Sequence, residues 1–233
     1  MSNETFKNRA KIFGLNLTDN MINQFEVYFE ELISYNKKVN LTSITKKEDV
    51  YVKHFLDSIV VANNLSKNAK ICDVGAGAGF PSLPLKIVRP DLQLVMLDSS
   101  NKRITFLNSL INKLNLDNTS AIHSRAEDFA KTHKKHFEYV VARAVAGLNT
   151  LTELCLPFVK VGGSFIAYKG SQAKTELETS KTAIKILGGQ VNKVNQFTLP
   201  ETDIQRSIII INKVSNTPAK YPRGQNKPKL QPL

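Results

Sequence analysis

The stretch DVGAGAGFP, residues Asp73–Pro81, decides how the rest of this chain is interpreted. It follows a short apolar run with the character of a buried strand, and it precedes a segment with helical spacing. Glycines in such a turn let the backbone bend sharply and approach a ligand closely. Pro81 suits the first turn of a helix, because its fixed φ is already close to the helical value. We therefore expect a ligand-binding loop between a strand and a helix.

The spacing of the glycines separates two classes of ligand. The dinucleotide fingerprint is G-x-G-x-x-G, but the sixth residue counted from Gly75 is Phe80. Gly75, Gly77 and Gly79 form G-x-G-x-G instead, and an acid, Asp73, stands two residues before the first glycine. This form is typical of sites for S-adenosylmethionine, which has no pyrophosphate to seat at a helix N-terminus. We predict that the loop lies under that cofactor and that Asp73 faces its amino group through water or backbone.

A second acid, Asp98, ends the predicted strand Gln93–Leu97. A carboxylate at that point can accept hydrogen bonds from both hydroxyls of a ribose. The alternative is that Asp98 caps the helix predicted from residue 101, a position that Asp favours. Dinucleotide enzymes place an acid in the same way, so Asp98 indicates an adenosine-like ligand without choosing between the two cofactors.

Two more strand ends carry residues that we assign to the ligand. The segment Ser124–Asp128 follows the third predicted strand, where an acid or a backbone amide can reach adenine; ordinary loop polarity is the alternative. Arg143 lies in the apolar segment Val141–Val145 at the end of the fourth, where an arginine needs an anionic partner or solvent. The carboxyl ends of parallel strands face the ligand crevice. We expect Arg143 to meet the cofactor's carboxylate, a phosphate or Asp73.

From about residue 70 onward, apolar strand-like runs alternate with helical segments. Such alternation favours a doubly wound α/β sheet. The last two strands are joined by a short connection that contains Pro200, so we predict that they are antiparallel. The predicted fold is therefore a Rossmann-like, seven-strand, mostly parallel sheet with an antiparallel last strand. The predicted strands are Lys70–Val74, Gln93–Leu97, Thr119–His123, Tyr139–Ala144, Ser164–Tyr168, Gln190–Thr198 and Arg206–Ile211, with helices at 81–89, 101–115, 148–158 and 171–187.

The chain divides into three parts that we expect to form one domain. Residues 1–66 are predicted to be a helical N-terminal extension, with helical spacing over 18–39 and 46–64. Residues 67–213 form the predicted core. Residues 214–233 are a basic tail with four prolines, which prevent a regular element longer than a turn or two. We expect the tail to contact RNA and to be dispensable for cofactor binding and for folding, or else to pack on the sheet edge.

The chain is basic, with 32 Lys and Arg residues against 20 Asp and Glu residues. Residues 1–66 hold eight of each sign, residues 67–213 hold 20 basic and 12 acidic, and the tail holds four basic and none acidic. Lys and Arg neutralise phosphates and release counterions, so a polyanion such as RNA is the natural partner. A generally basic proteome is the alternative.

Several classes of protein are disfavoured by what the sequence lacks. No apolar run approaches the ~18 residues that a membrane span needs, and residues 1–20 contain no apolar segment of a signal peptide. Cys72 and Cys155 lie in apolar stretches and form no disulfide framework. His133 and His136 stand in a predicted basic loop without a further metal ligand nearby. We expect a cytoplasmic monomer that holds no metal.

Several motifs in order resemble the RsmG (GidB, glucose-inhibited division protein B) family of bacterial 16S rRNA 7-methylguanosine methyltransferases. The resemblance covers nearly the whole chain. Three departures are Ser82 in place of a common glycine, Ser34–Tyr35 in place of an apolar–Trp pair, and Gly224 in place of a second basic residue. The matching motifs are NKKVNLTSI at Asn36–Ile44, KHFLDS at Lys53–Ser58, Asp73–Pro81, RAE at Arg125–Glu127, ARAV at Ala142–Val145, and the tail from Tyr221–Arg223 to Pro232–Leu233.

The resemblance implies contacts of S-adenosylmethionine with Gly75, Phe80, Ala126, Glu127 and Arg143. It also implies methyl transfer to N7 of guanosine 527 in 16S rRNA, within the small ribosomal subunit or its precursor. Guanine N7 has a lone pair and no proton, so no general base is required; the protein has to position two reactants and hold the unstacked base. We accordingly expect no catalytic acid or base.

Other functions stay open at this stage. A methyltransferase that acts on another RNA or on a small molecule shares the cofactor motifs, and the net charge is the argument against a small-molecule substrate. A NAD-dependent oxidoreductase is disfavoured by the glycine spacing. A non-catalytic RNA-binding module would share the basic surface and would not transfer a methyl group.

Overall fold

The computed structural model describes residues 1–143 and 146–233, and within them the chain forms a seven-stranded sheet of order β3-β2-β1-β4-β5-β7-β6. Strands β1 to β5 pair in parallel, and β7 runs antiparallel to both β5 and β6. The predicted Rossmann-like α/β fold with an antiparallel last strand is therefore confirmed. The strands are β1 Lys70–Val74, β2 Gln93–Asp98, β3 Thr119–His123, β4 Phe137–Arg143, β5 Val159–Lys169, β6 Gly189–Thr198 and β7 Gln205–Lys213.

Helices precede the sheet and connect its strands. Two of them were not predicted from the sequence: α1 at the N-terminus and α7, which begins at Ala126, a position that we expected in a loop. The helices are α1 Asn3–Ile12, α2 Asp19–Asn36, α3 Lys47–Val50, α4 Asp57–Ile59, α5 Ser82–Val88, α6 Asn101–Lys113, α7 Ala126–His133, α8 Leu148–Cys155, α9 Ala173–Ile186 and α10 Lys227–Leu230; a π-helical turn, Tyr51–Leu56, joins α3 to α4.

Two details differ from the sequence-based expectations, and a third falls on residues that the structure does not describe. Strand β5 begins at Val159 and not at the predicted Ser164, and it includes an irregularity in the pairing of β4 with β5. His133 ends α7 and stacks on Phe129, with ring centroids 3.8 Å apart, because the helix continues past the expected loop. The predicted strand end at Ala144, and with it the second half of the Ala142–Val145 motif, lies outside the described residues.

The N-terminal helices share one hydrophobic core with a face of the sheet. Phe25 of α2 and Phe55 of the π-helical turn are fully buried, and their ring centroids lie 5.0 Å apart. The same cluster of buried side chains includes Ile71 of β1 and Leu107 of α6. Because these apolar groups are removed from water together, the extension is stabilised by the core that it covers.

Tyr28 of α2 connects this helical layer to the glycine-rich loop. Its ring is fully buried and stacks on Phe80 at an interplanar angle of 10°. Its hydroxyl donates a hydrogen bond of 2.6 Å to the carbonyl of Ala78. A buried carbonyl that loses its only donor is costly, so α2 helps to fix the loop conformation.

The tail packs on the opposite face of the sheet. Tyr221 is buried with Phe129 and Phe158 in a second hydrophobic cluster. Arg223 forms a bidentate ion pair with the fully buried Glu153 of α8, in which Nη2 lies 2.6 Å from Oε2. Residues 217–233 thus supply the cation that pairs with Glu153, so we now expect their removal to destabilise the fold, in place of the sparing effect expected from the sequence. We propose that the three parts form one domain.

We expect Tyr28→Phe to lower the free energy of unfolding by about 1–3 kcal/mol, since it leaves the Ala78 carbonyl without its donor in a dry environment. Urea titration followed by circular dichroism measures this change. Tyr35→Phe is the matched control, because the Tyr35 hydroxyl makes only a long contact, 3.4 Å, at the surface. Equal stability of the two variants would show that the buried hydrogen bond contributes nothing.

Candidate functional site

The glycines of the loop between β1 and α5 serve two different purposes. Gly75, Gly77 and Gly79 all adopt positive φ, at 76°, 59° and 96°. A Cβ at Gly77 would find open space, whereas a Cβ at Gly79 would come within 2.6 Å of the Tyr28 hydroxyl oxygen and 2.7 Å of a Leu83 methyl carbon. Gly79 therefore allows the loop to pack on the core, while Gly75 and Gly77 face a cavity.

Three cavities surround the carboxyl ends of the parallel strands. The glycine-loop cavity, of about 400 Å³, is lined by Leu41, Thr42, His54, Gly75, Ala76, Gly77, Ala78, Phe80, Asp98, Ser99, Arg103 and Arg143. The tail cavity, of about 220 Å³, is lined by Val74, Gly75, Leu97, Asp98, Ser99, Ser124, Arg125, Ala126, Glu127, Ala146, Thr150, Leu154, Asn226, Pro228 and Lys229. The basic cavity, of about 550 Å³, is lined by Ile44, Lys53, His54, Asp57, Arg143, Ala146, Gly147, Tyr168, Lys169, Gly170, Glu176, Arg206, Ser207 and Ile208.

Asp98 stands where the glycine-loop cavity meets the tail cavity. One carboxylate oxygen accepts a hydrogen bond of 2.9 Å from the amide of Gly77, and the other accepts one of 2.8 Å from the amide of Ser100. Ser100 precedes the first residue of α6, so Asp98 does not accept from the first-turn amides that a capping residue would bind. The carboxylate instead connects β2 to the glycine loop and borders both cavities.

Ala126 and Glu127 line the tail cavity at the start of α7. The amides of the first helical turn have no acceptor within their own helix. These two N–H groups are thus able to donate to a flat nitrogen heterocycle in the cavity. Their position agrees with the adenine contact that the sequence suggested, although a helix and not a loop presents them.

Arg143, the last residue of β4, lies in the wall between the glycine-loop cavity and the basic cavity. Its guanidinium donates to the carbonyl of Lys53 at 3.2 Å and to the carboxylate of Asp57 at 3.3 Å. The guanidinium carbon lies 4.9 Å from the ring centroid of Phe80, in a cation–π contact. The carboxylate that pairs with Arg143 is Asp57 and not Asp73, which was one of the partners expected from the sequence.

His54 is the residue of this site that the sequence reasoning missed. Its ring stacks on Phe80 with centroids 4.5 Å apart, its Nε2 lies 2.8 Å from the hydroxyl of Thr42, and its Nδ1 lies 3.1 Å from Nη2 of Arg143. Arginine only donates, so the contact with Arg143 favours Nδ1 as the acceptor, whereas the carbonyl oxygen of Lys53, 3.2 Å from the same Nδ1, favours a proton there. Burial, assisted by the charge of Arg143, lowers the pKa of His54 to about 3. The imidazole is therefore neutral at physiological pH.

Asp73 lies apart from the other expected residues, since it is fully buried and lines none of the three cavities described above. Neither of its carboxylate oxygens has a hydrogen-bond partner among the described residues. Burial raises the pKa of Asp73 to about 7, although Ser82 and the charge of Arg143 oppose the rise. Because Asp73 lines none of these cavities, a contact with the amino group of a cofactor would have to run through water or the loop backbone.

Comparison with known proteins identifies the family. The family model for rRNA small subunit methyltransferase G (GidB) matches residues 21–209. The chain belongs to the rRNA small subunit methyltransferase G family. Proteins of that name from Oceanobacillus iheyensis and Bacillus cereus strain ZK are 51% and 48% identical to it, across 100% of this chain and 100% and 99% of theirs. The chain is therefore an S-adenosylmethionine-dependent methyltransferase of ribosomal RNA.

Solved structures of distant proteins share the fold. The M. jannaschii TYW2 complex with AdoMet superposes with a TM-score of 0.56 at 13% identity, over 72% of this chain and 77% of that one. An rRNA methylase from Streptococcus thermophilus superposes with a TM-score of 0.50 at 15% identity, over 74% of this chain and 100% of that one. At these identities the likeness concerns the sheet and its helices.

Two further sequence expectations concern metals and membranes. No cluster of three or more His, Cys, Asp or Glu residues suited to a metal ion occurs within residues 1–143 and 146–233. Among the helices that the structure describes, none is both long enough and apolar enough to cross a membrane. Cys72 and Cys155 are buried free thiols, as expected.

We expect Asp98→Ala to weaken the binding of S-adenosylmethionine by about tenfold or more, because it removes at least one charge-assisted hydrogen bond, each of which contributes about 1.5–3 kcal/mol. Isothermal titration calorimetry gives the affinity, and a thermal melt tests whether the loop still folds. Asp128→Ala is the control, since Asp128 is an exposed acid paired with Lys131 outside the three cavities. Unchanged affinity in an intact Asp98→Ala protein would remove Asp98 from the site.

The low pKa of His54 predicts how stability depends on pH. The unfolded chain accepts a proton at this residue near pH 6.5, but the folded chain does so only near pH 3. Between these values acidification favours the unfolded state, so the free energy of unfolding falls as the pH is lowered. In His54→Gln this contribution disappears, and the decline in stability from pH 6.5 to pH 4.5 becomes shallower. His136→Gln, at an exposed position, should retain the slope of the unmodified protein; an identical slope in all three would contradict the assignment.

Proposed function

We propose that this protein transfers a methyl group to N7 of a guanosine in 16S rRNA, and that the acceptor is guanosine 527, as the family resemblance implies. We further propose that the substrate is the small ribosomal subunit or its precursor. The observation that carries the proposal is that the side chains able to act as a base around the glycine-loop cavity and the basic cavity already have hydrogen-bond or ion-pair partners. Among the described residues that line these two cavities, the imidazole and the carboxylates are all engaged.

The engaged groups are one imidazole and three carboxylates. Asp98 accepts from the amides of Gly77 and Ser100. Nδ1 of His54 contacts Arg143, while Nε2 is occupied at the hydroxyl of Thr42. Asp57 binds both Arg143 and Arg206, the latter at 3.0 Å. Glu176, on the far side of the basic cavity, binds Lys169 at 2.7 Å. An acceptor atom that had to lose a proton would find no free base, whereas guanine N7 has no proton to lose.

The remaining residues explain binding and orientation. We propose that the cofactor extends from the tail cavity past Asp98 into the glycine-loop cavity, held by Gly75, Gly77, Phe80, Ala126 and Glu127, with Asp73 and Gly79 supporting the loop from beneath. When bound there, S-adenosylmethionine supplies an electrophilic methyl group. His54 and Phe80 form an aromatic surface next to that position. They exclude water from it and hold the acceptor base at the correct distance.

The basic cavity supplies the complementary surface for the nucleotide. Its walls carry the cations of Lys53, Arg143, Lys169 and Arg206. Arg206 is a quarter exposed at its side chain even though it pairs with Asp57, so it can also reach a phosphate. Arginine and lysine contacts of this kind hold the nucleic-acid backbone, while an unstacked base enters the enclosed space.

A methyl-transfer assay on small ribosomal subunits without this modification tests the proposal. We expect one methyl group per subunit, recovered as 7-methylguanosine after digestion and mass spectrometry. Reconstituted subunits with 7-deazaguanosine at the target position are the control, because they lack the acceptor nitrogen and should stay unmodified. A different methylated nucleoside, or methylation of the 7-deaza substrate, would overturn the proposal.

The rate of the chemical step should also be nearly independent of pH between about 6 and 9, since no group has to take up a proton. Single-turnover rates with saturating cofactor and subunits measure it. Arg206→Lys, which keeps a cation at the wall but loses the arginine fork, should lower the affinity for subunits and leave the flat profile intact. A rate that rises about tenfold per pH unit would require a general base and would contradict this chemistry.

A further inference from the structure

The basic tail folds back onto α8 and reaches the wall of the tail cavity. It is anchored first by Tyr221, which is buried, and by the ion pair of Arg223 with Glu153. Beyond this anchor the chain turns through Gln225 and Asn226, both with φ near the left-handed helical value, at 57° and 59°. The turn redirects the chain toward α8 instead of into solvent.

A second attachment follows at the one-turn helix α10. The hydroxyl of Thr150 in α8 donates a hydrogen bond of 3.0 Å to the carbonyl of Pro228. Nη2 of Arg223 reaches forward to the carbonyl of Gln231 at 2.8 Å. Pro228 is buried, while Lys227 and Lys229 on either side of it are exposed. The segment between the two attachments is thereby held as a closed loop on α8.

This loop brings three tail residues to the wall of the tail cavity. Asn226, Pro228 and Lys229 line the same space of about 220 Å³ that is lined by Ala126 and Glu127. If these three residues were absent, the cavity would be open on the side of the tail. The pyrrolidine ring of Pro228 offers a compact apolar surface that can pack against one face of a purine.

We infer that residues 226–229 form part of the binding site for the adenosine half of the cofactor. The inference rests on the proposed placement of the cofactor in the tail cavity and the glycine-loop cavity. The charge of the tail suggested a contact with RNA that cofactor binding does not need. If the inference holds, removal of the tail weakens cofactor binding directly. The ligand class for this wall is an adenine nucleoside, with or without the methionine part.

A truncation that ends at Arg223 tests the inference, because it keeps Tyr221 and the ion pair with Glu153. The dissociation constants of S-adenosylmethionine and of 5′-methylthioadenosine are measured by calorimetry. We expect both dissociation constants to rise by the same factor, about tenfold, because the truncation leaves roughly 50 Å² of apolar surface on the bound adenine uncovered. The melting temperature without ligand shows whether the shortened chain folds.

Point variants decide the matter if the truncated chain is unstable. Pro228→Gly removes the apolar ring from the wall, and Lys229→Ser removes a cation that lines the cavity. Lys227→Ser is the matched control: it removes one cation from the same turn but outside the cavity. We expect weaker binding of 5′-methylthioadenosine in the first two variants and unchanged binding in the third. Equal affinities in all three folded variants would overturn the inference.

The same experiments separate this inference from the proposed function. If the intact protein binds neither S-adenosylmethionine nor 5′-methylthioadenosine, the placement of the cofactor is wrong and the inference falls with it. If the intact and truncated proteins bind both ligands equally, only the role of the tail is wrong. Methyl transfer at saturating cofactor adds a third readout. A truncated enzyme whose cofactor affinity is unchanged but whose KM for subunits rises would show that the tail contacts RNA instead.

Discussion

The buried guanidinium of Arg143 joins the parts of the chain that face the cofactor. It stands at the end of β4 and binds the carbonyl of Lys53, the ring of His54 and the carboxylate of Asp57. A buried cation without partners costs several kcal/mol, so the helical segment from α3 to α4 has to dock against this strand end. The docking places His54 over Phe80 and separates the glycine-loop cavity from the basic cavity. The pairing of Arg143 therefore helps to form the walls of both the glycine-loop cavity and the basic cavity.

The elements outside the Rossmann-like frame complete the site. The sheet and its crossover helices recur in solved methyltransferases of 17% and 15% identity. In this chain they supply the glycine loop, Asp98 and the start of α7. The N-terminal helices add Tyr28 beneath the loop and His54 beside it. The tail adds Pro228 to the opposite side. Because these additions pack on the two faces of the sheet, they approach the same row of strand ends from different directions.

Much of the site follows from local rules. A loop of small residues after a buried strand, and acids or amides after the next strands, lie together in any doubly wound sheet. The glycine loop, Asp98 and the segment 124–128 could therefore be predicted from order and spacing. His54 could not, because its chemistry depends on burial and on a partner 89 residues away. The KHFLDS motif was visible, but nothing in its spacing showed that the ring stacks on Phe80. For Arg143 the position was predicted and the partner, Asp57, was not.

The sequence by itself determined the sheet, the class of cofactor and the basic character of the surface, because hydrophobic periodicity, glycine spacing and charge are carried by neighbouring residues. The tertiary structure decided which buried groups meet. It paired Glu153 with Arg223 and left Asp73 without a hydrogen-bond partner among the residues that the structure describes. It also placed the proline-rich tail at the wall of a cavity. Such pairings depend on the cost of leaving a charge or a polar group alone in a dry interior, and that cost exists only once the chain has folded.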